Sequence, residues 1–239
     1  MVVTVMDGLQ SFDRASAMQS AVADYIAQRL RGAIDRSGSA RLLVSGGSSP
    51  RPVYEQISQM DLAWSRVNVG LVDERWLDPH MDGSNAAFIS QTLLQGKASA
   101  ANFIPMKTAH KSAKAAAATV SDTYRKTLQP IDICVMGMGL DGHTASWFPN
   151  VADLKTALDI DNPSMACAVD ATGCQVAGQD TERMSLTLSA VMASAEIILL
   201  ITGQAKRDVL DGVGAKSVYD APVKALLAAG PRLKIFWGA

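Results

Sequence analysis

The stretch Arg41–Pro50, RLLVSGGSSP, passes from an apolar run of strand length through a Gly/Ser turn to a proline suited to the first position of a helix. The same order recurs downstream. Val67–Val72 (VNVGLV) precedes a polar loop and a helix expected from Ser84, while Ile131–Met136 follows a helical segment, Ser112–Leu128. In that segment Ala113, Ala116, Val120, Tyr124 and Leu128 share one face. Glu196–Thr202 is a continuous, largely β-branched run, and Arg183–Leu188 alternates polar and apolar residues as a strand does. Upstream, Met1–Met6 is expected as a first strand and Ser11–Arg36 as a long helix. Continuous apolar strands separated by helices predict an α/β fold, a doubly wound and mostly parallel sheet with helices on both faces. No repeat or low-complexity linker interrupts the pattern, and Gly173–Arg183 reads as surface loop, so residues 1–239 are expected to form one domain.

Composition narrows the function classes. Hydrophobic residues make up 48% of the 239 and charged residues 19%, which argues against disorder and coiled coil. With 22 Lys+Arg against 23 Asp+Glu the formal net charge is -1, which argues against a nucleic-acid coat or a polybasic membrane binder. An anionic partner would have to be held by a local cluster. The N-terminus lacks the pattern of a signal peptide, and the longest apolar run, Ala195–Ile201, is far short of the ~20 residues of a membrane span, so a cytoplasmic protein is expected. Cys134, Cys167 and Cys174 form an odd set without CxxC spacing and are read as free, mostly packed thiols.

In an open parallel sheet ligands bind beyond the carboxyl ends of the strands. Four loops there hold most of the chemically capable residues: Ser45–Pro50, Asp73–Trp76, Gly137–His143 and Gly203–Lys206. All four are expected to converge on one edge. Gly46, Gly47 and Ser48 offer close backbone approach, a hydroxyl and the amides of a helix start, a natural phosphate cradle. The rival reading of this loop, a GxSxG elbow with Ser48 as nucleophile, finds Pro50 where its second glycine belongs. The third loop matches GxGxxG through Gly137, Gly139 and Gly142, but Pro149 cuts the next helix short and Asp141 would oppose a pyrophosphate, which argues against a nicotinamide cofactor. His143 follows Asp141 in that loop, where a carboxylate can orient an imidazole for proton transfer. Lys206 stands in the first turn of a helix, where a cation opposes the macrodipole unless an anion is near. Trp76 and Tyr54 are read as packing residues, and Arg183 at the start of its strand is ambiguous.

Five segments in order carry a family likeness: GGSSP at Gly46–Pro50, DERW at Asp73–Trp76 with Ser84 and Asn85, GMGLDGHTASWFP at Gly137–Pro149, RMSLT at Arg183–Thr187, and TGQAK at Thr202–Lys206. The chain resembles the 6-phosphogluconolactonases, relatives of the glucosamine-6-phosphate isomerases, nearly end to end. It departs from them in Ser49, where a threonine is usual, and in Leu77–Asp78, where Val-Pro is frequent. The resemblance implies hydrolysis of 6-phosphoglucono-δ-lactone without metal or cofactor, a small phosphosugar as partner, and no nucleic acid or membrane. It implies His143 as general base, Asp141 as its orienting carboxylate and Arg75 or loop amides at the oxyanion. Gly46, Gly47, Ser48, Arg183 and Lys206 are then expected to hold the phosphate, with Asp73, Asn85 and Gly139 also in the substrate site. The alternatives are a glucosamine-6-phosphate deaminase or isomerase, which would carry an acid after the histidine where Ala145–Pro149 has none, and a non-catalytic sugar-phosphate sensor, which would carry a DNA-binding segment.

Overall fold

In the computed structural model, which describes residues 8–239, the expected strands form the middle of one sheet. The elements in chain order are β1 (Leu9–Phe12), α1 (Ala15–Ser37), β2 (Ala40–Val44), α2 (Arg51–Ile57), β3 (Val67–Leu71), β4 (Asp73–Arg75) and α3 (Asn85–Thr92). Next come β5 (Asn102–Ile104), α4 (Ala113–Leu128), β6 (Ile133–Met136), α5 (Leu154–Ala157), β7 (Ala166–Asp170), β8 (Glu182–Leu186), α6 (Leu188–Met192), β9 (Glu196–Thr202), α7 (Gln204–Gly212) and β10 (Leu233–Gly238). Among the described residues, β1-β10-β9-β6-β2-β3-β5 make a seven-stranded sheet in which every neighbouring pair is parallel. A second, antiparallel sheet has the order β4-β8-β7.

Parallel neighbours require crossovers, and the helices supply them. A continuous hydrophobic cluster runs from Met18, Val22, Ile26 and Leu30 of α1, through Leu42, Leu43, Ile133, Val135 and Leu199 of the central strands, to Ala116, Val120 and Tyr124 of α4. The central strands are apolar at consecutive positions because both of their faces are covered. Helix α4 packs on β3 of the large sheet and on β7 and β8 of the small one. Cys134 and Cys167 are buried and Cys174 half-buried, all as free thiols, and burial pushes the pKa of the first two up to about 12. No helix among the described residues is long and apolar enough to cross a membrane.

The structure moves several expected boundaries. The strand expected at Met1–Met6 lies outside the described residues. The first helix opens at Ala15, not Ser11, because Ser11 and Phe12 belong to β1, in register with Trp237 and Gly238 of β10. The strand expected over Arg183–Leu188 ends at Leu186, since Thr187 turns to cap α6, its Oγ1 accepting the Ala190 N–H. The loop after Val72 is in part a strand. There the Val72 N–H donates to the Val44 carbonyl beside β2, and its own carbonyl accepts from the Leu186 N–H of β8, so the chain changes sheets at one residue.

Glu74 anchors the chain beyond this switch. Fully buried, it accepts hydrogen bonds from the backbone N–H groups of Arg75 (2.8 Å), Asn85 (2.6 Å) and Ala86 (2.8 Å) and from Ser84 Oγ (3.0 Å). It thereby ties β4 to the first turn of α3, whose orphan amides need an acceptor. Burial pushes its pKa up, and these donors oppose the rise. Replacing Glu74 by Ala strands several buried donors, each costing ~1–3 kcal/mol, so E74A should lose on the order of 3 kcal/mol or more in urea unfolding. A midpoint equal to that of the parent protein would remove Glu74 from this role.

Candidate active site

From β2 the chain builds outward through β3 to β5, then returns to the other side of β2 as β6. The sheet order therefore reverses between β2 and β6, the place where open α/β sheets leave a crevice at their carboxyl edge. A cavity of about 260 Å³ opens there, lined by residues of all four expected loops: Ser45–Pro50 after β2, Asp73 and Arg75 after β3, Gly137–Gly139 and His143–Ala145 after β6, and Lys206 after β9. Asn85, at the start of α3, completes the wall.

The loop after β2 is held from behind. Tyr54 of α2 donates its hydroxyl to the Ser45 carbonyl (3.0 Å), and the Ser49 and Thr202 hydroxyls pair at 2.8 Å, joining the ends of β2 and β9. Asn85 forms a hub: its Nδ2 donates to the Asp73 carbonyl (2.7 Å) and to Asp73 Oδ1 (3.2 Å), and its Oδ1 accepts from Arg75 Nη1 (2.9 Å). The other Asp73 oxygen accepts from Ser146 Oγ at 2.6 Å, which links β4 to the loop after β6. Any side chain at position 46 would run into the Asn85 amide, which explains the glycine there.

In the loop after β6, Asp141 Oδ1 lies 2.6 Å from His143 Nδ1 and accepts the His143 backbone N–H at 3.1 Å. Their side chains are 24% and 26% exposed, enough for the imidazole to meet a bound molecule. Burial raises the Asp141 pKa, but the hydrogen bond and charge of His143 outweigh it and hold the carboxyl below its ordinary value. With Asp141 ionised, Nδ1 is the donor and Nε2 is left to accept a proton. Gly139 closes the loop by donating to the His143 carbonyl (2.9 Å), and a side chain there would collide with both the imidazole and the carboxylate. Lys206 is half-buried in the first turn of α7, and burial pulls its pKa down. The cavity is thus bounded by one ammonium, one guanidinium, a carboxylate-supported imidazole and a glycine-rich backbone turn.

The structure separates one expected member from the rest. Gly46, Gly47, Ser48, Asp73, Arg75, Asn85, Gly139, His143 and Lys206 line the cavity, and Asp141 stands behind His143. Arg183 does not line it. Its Nε and Nη2 donate to the carbonyls of Asp180 (2.7 Å) and Ala177 (2.8 Å), and its guanidinium lies over the Phe148 ring. Sequence reasoning missed Ser146 and Glu74, which support the site from behind, and the Thr144 and Ser45 hydroxyls, buried in the cavity wall without a protein partner. A serine or threonine flanking a glycine-rich turn was the available signal. Among the described residues no group of three His, Cys, Asp or Glu side chains is placed to hold a metal ion.

Known proteins share this sequence pattern and fold. The profile of the family described as glucosamine-6-phosphate isomerases/6-phosphogluconolactonase matches residues 13–237. A 6-phosphogluconolactonase of Rhizobium meliloti (strain 1021) is 39% identical over 229 residues, covering 95% of this chain and 96% of its own. One from Pseudomonas aeruginosa is 38% identical over 235 residues, covering 96% and 94%. A solved structure of a 6-phosphogluconolactonase from Shewanella baltica OS155 superposes with a TM-score of 0.92 at 34% identity, covering both chains completely. A monomeric glucosamine-6-phosphate deaminase shares the fold at a TM-score of 0.78 and 14% identity. The chain belongs to the glucosamine-6-phosphate isomerase/6-phosphogluconolactonase family.

Proposed function

We propose that the chain, acting as one α/β lactonase domain, hydrolyses 6-phosphoglucono-δ-lactone to 6-phosphogluconate, the lactone-opening step of the oxidative pentose phosphate pathway. The observation that carries this reading is the Asp141–His143 pair facing a cavity whose other walls are the Gly46–Ser49 turn and Lys206. The phosphate is bound by the turn's amides and Lys206, a point charge that suits it. The lactone ring then extends toward His143 along the wall that Asp73 and Asn85 line.

His143 Nε2 takes a proton from water as the water oxygen bonds to the lactone carbonyl carbon. Arg75 stabilises the oxyanion of the tetrahedral intermediate. The intermediate collapses by breaking the bond from that carbon to the ring oxygen, which receives the proton from His143, and the new carboxylic acid ionises. Asp141 holds the imidazole in the required tautomer and stabilises its charged form. The lack of a carboxylate in Ala145–Pro149 favours this chemistry over deamination. The net charge of -1 favours it over a DNA-binding sensor.

The reading is tested by assaying phosphorylated against unphosphorylated gluconolactone in a pH-stat. A strong preference for the phosphorylated substrate is expected, and K206A should raise KM by about 10–100-fold, the worth of one charge-assisted contact of ~1.5–3 kcal/mol. Equal rates on both lactones would refute it. H143A should lower kcat by ~10²–10⁴-fold. Against the effect of burial, His143 holds the Asp141 carboxyl below its ordinary value through their hydrogen bond and charge, so D141N, which removes that charge, should lower kcat about tenfold or more with KM little changed. Full kcat in D141N would contradict the assignment. G139A forces the imidazole and the carboxylate to move and should lose about 100-fold in kcat, since a displacement near 1 Å costs that much; full kcat would contradict this placement.

A further inference from the structure

Arg183 is 3% exposed and is not part of the cavity wall, although it belongs to a segment shared with the family. A buried guanidinium without a carboxylate in hydrogen-bond range needs another reason to be there. Its neighbours supply one. Two of its N–H groups are taken by the carbonyls of Asp180 and Ala177, which fix the plane of the fork, and its central carbon lies 5.5 Å from the centroid of the Phe148 ring. The Phe148 ring in turn lies 4.9 Å from the His143 imidazole, centroid to centroid, at an interplanar angle of 41°. Phe148 is 3% exposed and packs with Ala171 and Ala177 in a small cluster separate from the main core.

The segment between His143 and Phe148 is shaped to bring them together. Thr144 and Trp147 form a bridge, the Trp147 N–H donating to the Thr144 carbonyl at 3.0 Å. Ala145 adopts φ 48°, the left-handed region that an L residue occupies only when its surroundings impose it. Trp147 Nε1 bonds the Leu186 carbonyl (2.7 Å) and Ser146 Oγ bonds Asp73, so the turn is pinned on both flanks. The hydrogen bond from His143 Nδ1 to Asp141 fixes one edge of the imidazole but leaves the ring free to tilt about it. The aromatic wall removes that freedom.

We infer that Phe148 and Arg183 are a positioning pair for His143: the Phe148 ring sets the tilt of the imidazole, and the Arg183 guanidinium holds the Phe148 ring in place. This rests on the reading of His143 as general base. It assigns Arg183 an effect on turnover and none on phosphate binding, although Arg183 touches neither the substrate cavity nor His143.

The test compares F148L, which keeps most of the volume but loses the planar ring, F148Y, which restores the ring, and R183K, which keeps the charge but loses the fork. F148L and R183K should lower kcat about 10–100-fold with KM within twofold and with the preference for phosphorylated lactone intact, and F148Y should recover most of kcat. A tenfold or greater rise in KM for R183K, or loss of the phosphate preference, would make Arg183 a phosphate ligand and overturn the inference. So would full kcat in F148L. A second measurement needs no activity and separates failure of this inference from failure of the lactonase reading. With only three histidines in the chain, the proton on His143 Nδ1 can be followed by NMR. It should give a sharp downfield signal in the parent protein and be lost to exchange in both F148L and R183K. An unchanged signal in both variants would overturn the positioning role even if the parent protein proved inactive on the lactone.

Discussion

The backbone of Val72 has one partner in each sheet, its N–H donating to Val44 and its carbonyl accepting from Leu186. The wall formed by Asp73, Arg75 and Asn85 depends on this handover. Because β3 ends at Leu71 and β4 starts directly after Val72, Asp73 and Arg75 arrive at the crevice on a strand and not on a free loop. A strand has its own ladder: Asp73, Glu74 and Arg75 pair with Ser185, Met184 and Arg183. Side chains on such a rigid element hold their directions without help from a ligand.

The polar groups behind the cavity are correspondingly well satisfied. Glu74 has four donors, Asp73 is bonded through both carboxylate oxygens, and Asn85 both donates and accepts. Buried polar networks of this kind rigidify a site when every member is paired and cost heavily when one is not. The hydroxyls of Ser45 and Thr144 and the indole N–H of Trp76 are the exceptions near this region, lacking a protein partner. The opposite charges are also divided in space. Asp73, Glu74 and Asp141 each have partners, whereas Lys206 forms no ion pair among the described residues and meets the cavity with its charge uncompensated. A chain with a formal net charge of -1 thus presents a local cation where an anion can reach it.

The central strands were legible because burial on both faces writes itself into the sequence as unbroken apolar runs: RLLV, VNVGL, ICVM and EIILLIT lie in β2, β3, β6 and β9 respectively. The edges were not. Leu9–Phe12 (LQSF) has partly exposed residues throughout and joins the sheet only because the distant β10 pairs with it. The antiparallel sheet was hidden for a different reason: DER is three polar residues, and Ala166–Asp170 (ACAVD) is small and mixed, so neither shows a period until the partner strand is placed. At the site, loop chemistry after the four central strands pointed to one crevice because topology dictates where such loops meet in a parallel sheet. The place of Arg183 depends instead on how Ala177 and Asp180 fold back toward it, a tertiary fact with no local signature.

Asp141 and His143 are two residues apart on one loop, and their mutual geometry is fixed by bonds made within that loop: the carboxylate to the imidazole and to the His143 amide, and Gly139 to the His143 carbonyl. The groups that face them come from three other places in the chain. Drift in the relative position of the strands would consequently carry the Asp141–His143 hydrogen bond along as a unit, while the contact of the imidazole with Phe148 ties its far side to β8 through Arg183. The hydrogen-bonded pair is thus local to one loop, whereas the cavity walls around it are assembled from distant parts of the chain and can change by substitution without breaking that bond.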